Sequence, residues 1–462
     1  MNKLTAIILL VLSFNYKAQP NIENYLPYEK STYNLSQKEK DFLDTLQYRS
    51  FLYFIKETNP LNGLIKDRST VQSPSSIAAV GFGIPIWALG FEKGWITKDQ
   101  SIQYTLTLLN FLWQSDQSMD SFATGHDGFY YHFLDMKTGK RFWNCELSSI
   151  DSGILFCGII FARQFYDGNN HEEKKIRELS DKLLARADWS YFTTSDSGKY
   201  YKTISLGWNE KEGLFKLGWW GYTEALFLYI VAAGMKYPDA ERGYQSWLNF
   251  YQWREPYNKK VGHVVFPSLF IHQYSFIWLD MRGLYDNYMR EKNIDYFENS
   301  RRATYVQKNY AVQNPNKWVG YDSLTWGLTA CDGPGSKYNI NGKEFWDYSA
   351  RGTSGPDSTF DDGTIAPTAA GGSIPFAPEI TVPTLINMYE KYGSKGLWNK
   401  YGFVDSFNPT LNWFNLDYLG IDQGPIVLML ENYFSGFVWK YFMKDPIVTI
   451  GLKRLGFQKN KD

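Results

Sequence analysis

One glutamate, Glu224, lies where a run of aromatic residues meets an apolar segment. The chain reads Leu217-Gly-Trp-Trp-Gly-Tyr-Thr-Glu224 and continues with apolar residues to Gly234. An ionised carboxylate is costly to bury without a partner, so such a group takes a raised pKa and stays protonated. A protonated carboxylic acid beside aromatic rings is suited to protonate the leaving oxygen of a glycosidic bond. The alternative is a structural glutamate that is hydrogen-bonded to backbone or to an arginine.

A second carboxylate, Asp422, lies at the predicted start of another apolar helix. In Leu419-Gly-Ile-Asp422-Gln-Gly-Pro425 the proline is typical of a first helical turn, and the helix dipole favours the charged form of Asp422. Glu224 and Asp422 thus have the pattern of an acid and a base whose environments separate their pKa values. Inverting glycosidases hold such a pair about 6.5–9.5 Å apart. Alternatively, Asp422 only caps the helix.

Two further places carry carboxylates beside glycine or aromatic residues. Glu146 and Asp151, in Trp143-Asn-Cys-Glu146-Leu-Ser-Ser-Ile-Asp151, are expected to bind sugar hydroxyls or orient water, or else to cap a helix over 146–166. A Gly- and Asp-rich loop runs from Asp332 to Glu379. Its run at 357–362 lacks the spacing of an EF-hand, so we expect a solvated turn there and no metal.

His272, in an aromatic segment, is expected to form part of a substrate wall.

Composition narrows the classes of partner. The 462-residue chain has 48 basic and 48 acidic residues and no polybasic run, which argues against nucleic acid and anionic membranes as partners. Aromatic residues make up 18% of the chain, which suits a cleft that stacks sugar rings but also an aromatic core. Three cysteines and five histidines show neither a disulfide framework nor metal-site spacing, so we expect no metal and no cofactor.

The N-terminus predicts export. Lys3 precedes an apolar stretch, Leu4 to Phe14, that is too short to span a bilayer, and Ala18 offers a cleavage site. We therefore expect a signal peptide over 1–18, a polar leader over 19–35 and a periplasmic or extracellular destination. The mature chain has no other apolar run of spanning length, and we expect a monomer.

The elements that must position these residues are mostly helical. Ser36-Gln-Lys-Glu39 and Thr97-Lys-Asp-Gln100 each predict a helix start through a capping box. Further helices are predicted near 146–166, 172–190, 217–235, 239–253, 268–291, 295–312, 380–393 and 422–443. Some are apolar nearly all round and others are amphipathic, which predicts enclosed and solvent-facing helices that alternate along the chain. We therefore predict one all-α domain over 36–457, an α/α toroid with functional loops at one mouth.

Several segments, in collinear order from about residue 40 to 445, resemble the bacterial glycoamylase-like domain. They are Phe51–Phe54, Gly63–Arg68, Ser76–Gly83, Gly128–Phe133, Glu146–Asp151, Trp220–Glu224, Asp362–Ala370 and Gly420–Pro425. That domain is similar to glycoside hydrolase family 144, which acts on β-1,2-glucan, and to a domain of cyclic β-1,2-glucan synthases. Only Trp143-Asn-Cys145 departs from the pattern, which is more variable or basic before Glu146.

The resemblance implies an (α/α)6 barrel and an inverting hydrolase of β-1,2-linked glucose chains, by endo cleavage or by sophorose release. It implies Glu224 as general acid and Asp422 as general base. The subsites would be lined by Glu146, Asp151, Asp332, Glu379, Tyr131, His132, Trp219 and Trp220.

Two other functions stay open. A polysaccharide lyase of the toroid type would use Tyr131, His132, His272 and Tyr274, but it needs basic groups near its uronic-acid substrate. A non-catalytic glycan-binding protein would need no acid and base at all.

Overall fold

The structure is a computed structural model that describes residues 22, 25–195, 198, 201–340, 342–356 and 359–459. The predicted signal peptide over 1–18 lies outside the described residues. Within the described ranges the α-helices are α1 (Gln37–Lys56), α2 (Ile77–Glu92), α3 (Lys98–Gln114), α4 (Ser149–Phe165), α5 (His171–Arg186), α6 (Leu226–Gly234), α7 (Ala240–Leu248), α8 (Tyr274–Trp278), α9 (Asn287–Lys292), α10 (Tyr296–Gln313), α11 (Pro367–Gly371), α12 (Pro378–Tyr392), α13 (Gly420–Ser435), α14 (Phe437–Phe442) and α15 (Pro446–Arg454).

Twelve of these helices form an (α/α)6 barrel. Helices α2, α4, α6, α8, α11 and α13 form the inner ring, in which successive members contact from α2 to α8, and α13 contacts α8, α11 and α2 to close the ring. Helices α1, α3, α5, α7, α10 and α12 alternate with them along the chain and form the outer ring. The predicted toroid is confirmed.

Burial explains which helices lie inside. Every residue of α2 from Ile77 to Gly90 is buried, whereas α5 buries only a stripe of six residues. Helices α2 and α4 cross at two glycines: a Cβ on Gly81 would lie 2.6 Å from the carbonyl oxygen of Ile154, and one on Gly158 would lie 2.4 Å from that of Gly81. Any side chain at the crossing would push the two inner helices apart.

The strands are short and lie in the loops. Most pair two residues against two, some as hairpins and others between segments far apart in the chain, such as Ser75–Ser76 with Phe133–Leu134. The strands are Ser75–Ser76, Gly125–His126, Phe129–Tyr130, Phe133–Leu134, Leu147–Ser148, Gly207–Asn209, Gly213–Leu214, Trp253–Arg254, His263–Val264, Leu284–Tyr285, Ala330–Cys331, Asn339–Ile340, Lys343–Glu344, Ser349–Ala350, Gly352–Thr353, Thr359–Phe360, Trp398–Asn399, Gly402–Phe403, Phe407–Asn408, Trp413–Phe414 and Gln458–Lys459. All pairings are antiparallel, and Leu147–Ser148 pairs with Gly207–Asn209, which pairs in turn with Gly213–Leu214.

The inner helices begin at one mouth, and hydrogen bonds link their starts. The Ser275 hydroxyl donates to the Glu224 carbonyl at 2.6 Å, and the Tyr274 hydroxyl donates to the Ile421 carbonyl at 2.7 Å. Thr368 donates to the Asp422 carbonyl at 3.2 Å, and the Ile77 amide donates to the His132 carbonyl at 3.2 Å. The loops before the inner helices therefore meet at this mouth.

Several predicted boundaries need correction. Both capping boxes are confirmed, at Ser36–Glu39 and Thr97–Gln100. The helix predicted over 217–235 begins only at Leu226, because Gly221 has a φ of +69° and the aromatic run before it forms a loop. The segment 268–291 is not one helix: it holds a 3-10 helix at Leu269–His272, then α8, a strand and α9.

The long loop is also different from its prediction. It contains the inner helix α11, and its acidic run is not a solvated turn. Asp362 is buried and pairs with the buried Arg351 at 2.7 Å, while Asp361 accepts hydrogen bonds from Tyr310 at 2.7 Å and Tyr321 at 2.6 Å. Asp357 lies outside the described residues. Among the described helices, none is both long and apolar enough to cross a membrane.

The Arg351–Asp362 ion pair gives a test of the fold. Both side chains are 0% exposed, so replacement of Arg351 by Ala leaves a buried, unpaired carboxylate. We expect a loss of about 3–5 kcal/mol in the free energy of unfolding, measured by urea denaturation. Lys38→Ala, which removes the exposed Lys38–Glu390 pair, is the control and should leave the midpoint unchanged. Equal midpoints for the two variants would contradict the assignment of Arg351 to the buried pair.

Candidate active site

Many carboxylates lie close together at the mouth of the barrel, and three of them are close to the start of an inner helix. Asp151 lies in the first turn of α4, Glu224 two residues before α6, and Asp422 in the first turn of α13. Helix N-termini carry partial positive charge, which favours negative side chains in these places. The residues of the mouth form three groups, which differ in their balance of acidic and basic side chains.

The first group is a histidine held between two acids. His132 Nδ1 lies 2.9 Å from Glu146 Oε1, and its Nε2 lies 3.7 Å from Asp151 Oδ2. Burial alone would lower the pKa of His132, but Asp151 and Glu146 outweigh it and raise that pKa to about 9. His132 is therefore an imidazolium that donates to Glu146. Burial raises the pKa of Glu146, but the charge of His132 outweighs it and holds that pKa below its ordinary value.

Asp151 is the more enclosed of these two acids. Burial raises its pKa, and the charge of His132 offsets this only in part. The Ser148 hydroxyl donates to Asp151 Oδ2 at 2.5 Å, and the Asp151 amide donates to Ser148 Oγ at 3.2 Å. This reciprocal cap fixes the first turn of α4, so the capping role and the place in the site coexist.

The second group surrounds Asp422. Asp405 Oδ2 accepts from the Asp332 amide at 2.9 Å, from Asn415 at 2.9 Å and from Ser406 at 3.0 Å. Among the described residues, Asp405 Oδ1 and Asp422 Oδ2 are buried without a donor. Both carboxylates are buried and the charge of Asp405 raises the pKa of Asp422, so the two titrate as a pair, and one proton kept on the pair would join these two oxygens.

The charge state of Asp422 therefore differs from the prediction. Burial and then Asp405 raise the pKa of Asp422 well above its ordinary value, with Asp332 and Asp67 adding to the effect. Burial and then Asp332 raise the pKa of Asp405 to about 6. The predicted effect of the helix dipole is outweighed, because neighbouring carboxylates repel a second negative charge at short range.

One arginine balances part of this charge. Arg68 Nη1 lies 2.9 Å from Asp332 Oδ2 and 3.7 Å from Asp417 Oδ2, and its Nε lies 3.4 Å from Asp67 Oδ2. The predicted residue Asp332 thus belongs to the site, held by Arg68 and by Asn415 at 3.1 Å.

The third group is Glu224 with the aromatic residues around it. Burial raises the pKa of Glu224 to about 7, its own backbone amide offsets this in part, and the charge of Asp151 adds to it. Glu224 is half-buried, and no ion pair to it is found within the described ranges. The Tyr274 hydroxyl lies between the groups: after burial, the charges of Asp422, Tyr348, Glu224 and Asp151 raise its pKa well above the ordinary value.

The predicted aromatic residues have different positions. Trp219 is half-buried and donates from Nε1 to Ser149 Oγ at 3.0 Å, beside the start of α4, and the half-buried Trp220 packs its ring 4.7 Å from Phe250. Tyr131 is 1% exposed under the guanidinium of Arg141, so it supports the loop and offers no face to a sugar.

Two predicted site residues lie elsewhere. His272 is 1% exposed, hydrogen-bonded to the Phe266 carbonyl at 3.2 Å, and burial lowers its pKa to about 3, so it is a neutral core residue and not a substrate wall. Glu379 pairs with Arg301 at 2.5 Å. After burial, the charge of Glu379 raises the pKa of Tyr433, which lies in the last turn of α13. Asp422 lies in the first turn of the same helix. Glu379 is therefore near the opposite end of the barrel.

Sequence reasoning missed other members of the site. These are Asp67, Arg68, Asp405, Asp417 and Tyr348. Tyr348 belongs to no motif or periodic pattern in the sequence, but it lies near Asp422 and Asp405. Asp67 and Arg68 stand in one of the segments that carry the family resemblance, which was the available signal. Asp405 lies between short strands with no pattern around it.

Metal binding has one candidate place among the described residues. His132, Glu146 and Asp151 each offer a ligand atom within 4.8 Å of the others. A metal ligand must be a neutral imidazole, so a metal would compete here with the proton that lets His132 form an ion-paired cluster with the same two acids. The three cysteines are free: Cys157 and Cys331 are buried, and Cys145 is half-buried.

Comparisons with known proteins agree with this geometry. The glycoamylase family, described as "Putative glucoamylase", matches residues 216–446, which include Glu224 and Asp422. A curated relative, the exo β-1,2-glucooligosaccharide sophorohydrolase (non-reducing end) of Parabacteroides distasonis, is 29% identical over 458 residues. That match covers 92% of this chain but only 59% of the relative, so the chain spans less than two thirds of its length.

Two solved structures are similar over nearly the whole chain. The crystal structure of a "putative glucoamylase" from Bacteroides uniformis is 33% identical with a TM-score of 0.79, and the match covers 93% of this chain and 99% of that one. The endo-β-1,2-glucanase of Chitinophaga pinensis, in a complex with sophorotriose and glucose, is 28% identical with a TM-score of 0.78, covering 92% of this chain and 99% of that one.

The charge of His132 can be measured directly. Its pKa of about 9 predicts an imidazolium throughout pH 5–8, seen by NMR of the ring nitrogens, whereas His272 should stay neutral over the same range. Glu146→Gln removes a negative partner and should lower the pKa of His132. A His132 ring that titrates near its ordinary value in the unaltered protein would contradict the ion-paired cluster.

Proposed function

The chain belongs to the glycoamylase family, and from this premise we propose that it is a glycoside hydrolase that cleaves β-1,2-glucan or its oligosaccharides. The observation that carries the proposal is one mouth that holds both Glu224, an acid with a raised pKa and no ion pair among the described residues, and a buried carboxylate pair, Asp405–Asp422. The names of the relatives support the linkage, since one is a β-1,2-glucooligosaccharide sophorohydrolase and another an endo-β-1,2-glucanase.

In the proposed reaction, Glu224 donates its proton to the leaving glycosidic oxygen, directly or through a substrate hydroxyl. Asp422 removes a proton from a water that attacks the anomeric carbon from the opposite face, so the configuration inverts. A pKa of about 7 keeps a large fraction of Glu224 protonated at neutral pH and still lets it release its proton.

In this scheme Asp405 positions Asp422 and raises its pKa. Only one of the two carboxylates carries a charge while they share a proton, and three donors on Oδ2 hold Asp405 in place. The pair must lose its shared proton, or pass it along, before Asp422 can act as a base. Glu146, Asp151 and Asp332 offer acceptor oxygens for sugar hydroxyls.

We also propose that the protein is exported and acts as a monomer. The support for export is the predicted signal peptide, and the support for a monomer is the chain's own complete barrel. Fractionation of cells that make the full chain, and light scattering of the purified protein, test these two points.

The substrate proposal is tested with purified protein on linear β-1,2-glucan, starch and laminarin, with chromatography of the products. We expect sophorose or short β-1,2-oligomers from the first substrate alone, released with inverted anomeric configuration by NMR. Glu224→Gln is the matched variant: it should lose about 10²–10⁴-fold in kcat and still bind the glucan, since only the transferable proton is removed. Cleavage of starch alone, or an unchanged kcat, would overturn the linkage or the acid assignment, respectively.

The pH profile tests the proton-sharing pair. Activity should fall as pH rises through about 7, where Glu224 loses its proton, and fall as pH drops through the range in which the Asp405–Asp422 pair takes up its shared proton. Asp405→Asn removes the charge that raises the pKa of Asp422. We therefore expect the acidic limb of kcat/KM to move to lower pH while the alkaline limb stays in place.

Asp422→Asn is the comparison for that profile. It removes the base itself, so activity should be lost at every pH rather than shifted. A shift of the alkaline limb in Asp405→Asn, or an unmoved acidic limb, would argue against Asp405 acting through Asp422.

A further inference from the structure

Trp143 is an exposed tryptophan held in a left-handed backbone conformation. Its side chain is 64% exposed, and its φ is +52°. A bulky residue with positive φ is uncommon and costs energy, so the surrounding structure must hold it there. A large aromatic side chain kept in water by such a constraint calls for a reason beyond packing.

The loop that carries Trp143 is fixed on both sides. The Phe142 amide donates to the Phe133 carbonyl at 2.9 Å, and the Phe133 amide donates to Cys145 Sγ at 3.3 Å. Arg141 Nε donates to the Cys145 carbonyl at 2.7 Å, and Arg141 also pairs with Glu210 at 2.5 Å. The Trp143 ring is therefore presented by an ordered turn.

A series of ring contacts joins Trp143 to the active site. Its ring centroid lies 5.2 Å from that of Phe133 in an edge arrangement. Phe133 in turn stacks on His132, with centroids 3.9 Å apart and planes inclined by 13°. His132 donates to Glu146 in the first carboxylate group, so Trp143 stands at the outer end of a row that begins in the mouth.

We propose that Trp143 forms an outer subsite that stacks on the C–H face of a glucose unit of a bound glucan chain, and so gives the enzyme a preference for longer substrates. This inference rests on the proposed function. An indole face binds a neutral sugar ring through burial of apolar C–H surface and dispersion, with no need for a charged group. The subsite lies beyond the reacting bond, so its binding energy appears in KM and not in the chemical step.

The test compares β-1,2-gluco-oligosaccharides of increasing length, from the trimer upward, with wild type, Trp143→Ala and Trp143→Phe. In Trp143→Ala we expect kcat/KM to fall about 3- to 10-fold for long chains through KM, with kcat unchanged, and to stay at the wild-type value for the shortest chain that is cleaved. Trp143→Phe keeps an aromatic face and should recover most of the loss.

Trp113→Ala is the matched control. Trp113 is also exposed, at 39%, but it lies on the outer helix α3 with Lys182 and Arg186 over its ring, so its loss should not change length preference. An equal loss for all chain lengths, or no loss in Trp143→Ala, would overturn the subsite while leaving the proposed function intact. A wild-type protein that neither binds nor cleaves any β-1,2-glucan chain would overturn both.

Discussion

The site depends on the closure of a ring of apolar helices. The inner helices are buried on all sides, so they have no polar face on which to carry chemistry, and functional groups can stand only at their ends. Each outer helix returns the chain to the same end, so the loops before the inner helices meet at one mouth. Hydrogen bonds such as Ser275 to Glu224 and Tyr274 to Ile421 then tie these helix starts together. The positions of Asp151, Glu224 and Asp422 in the mouth follow from this closure.

Crowding gives these chemically similar acids different proton affinities. Glu224 forms no ion pair that the described residues show, so burial dominates and its pKa rises. Glu146 has the imidazolium of His132 beside it, so its pKa falls. Burial and the charge of Asp405 raise the pKa of Asp422, for which the described residues show no ion pair. The environment, and not the residue type, separates the candidate acid from the candidate base.

The sequence predicted the parts of this arrangement that leave a local signal. Capping residues marked α1 and α3, and the alternation of apolar and amphipathic helices predicted the two rings. Helix α2 was not predicted, because Pro85 in its interior argues against a helix there. Glu224 and Asp422 were recognisable as carboxylates before apolar runs. Asp405 was not recognisable, because its role comes from its position beside Asp422, which lies elsewhere in the sequence. Glu379 was assigned to the site wrongly, because a carboxylate at a helix start does not indicate which end of the barrel it faces.

The charge balance of the mouth argues for a neutral polyol as substrate. Asp67, Asp332 and Asp417 already share Arg68, so the carboxylate of a uronic acid would enter a field of like charge. The histidines of the lyase alternative offer no free base either, since His132 is protonated and His272 is buried. Sugar hydroxyls, in contrast, are donors, and Asp405 Oδ1 and Asp422 Oδ2 are acceptors without a donor among the described residues. Once the shared proton has left to solvent, a hydroxyl or water that donates to Asp422 Oδ2 would take its place as hydrogen-bond partner, and would stabilise Asp422 in the charged form that a base requires.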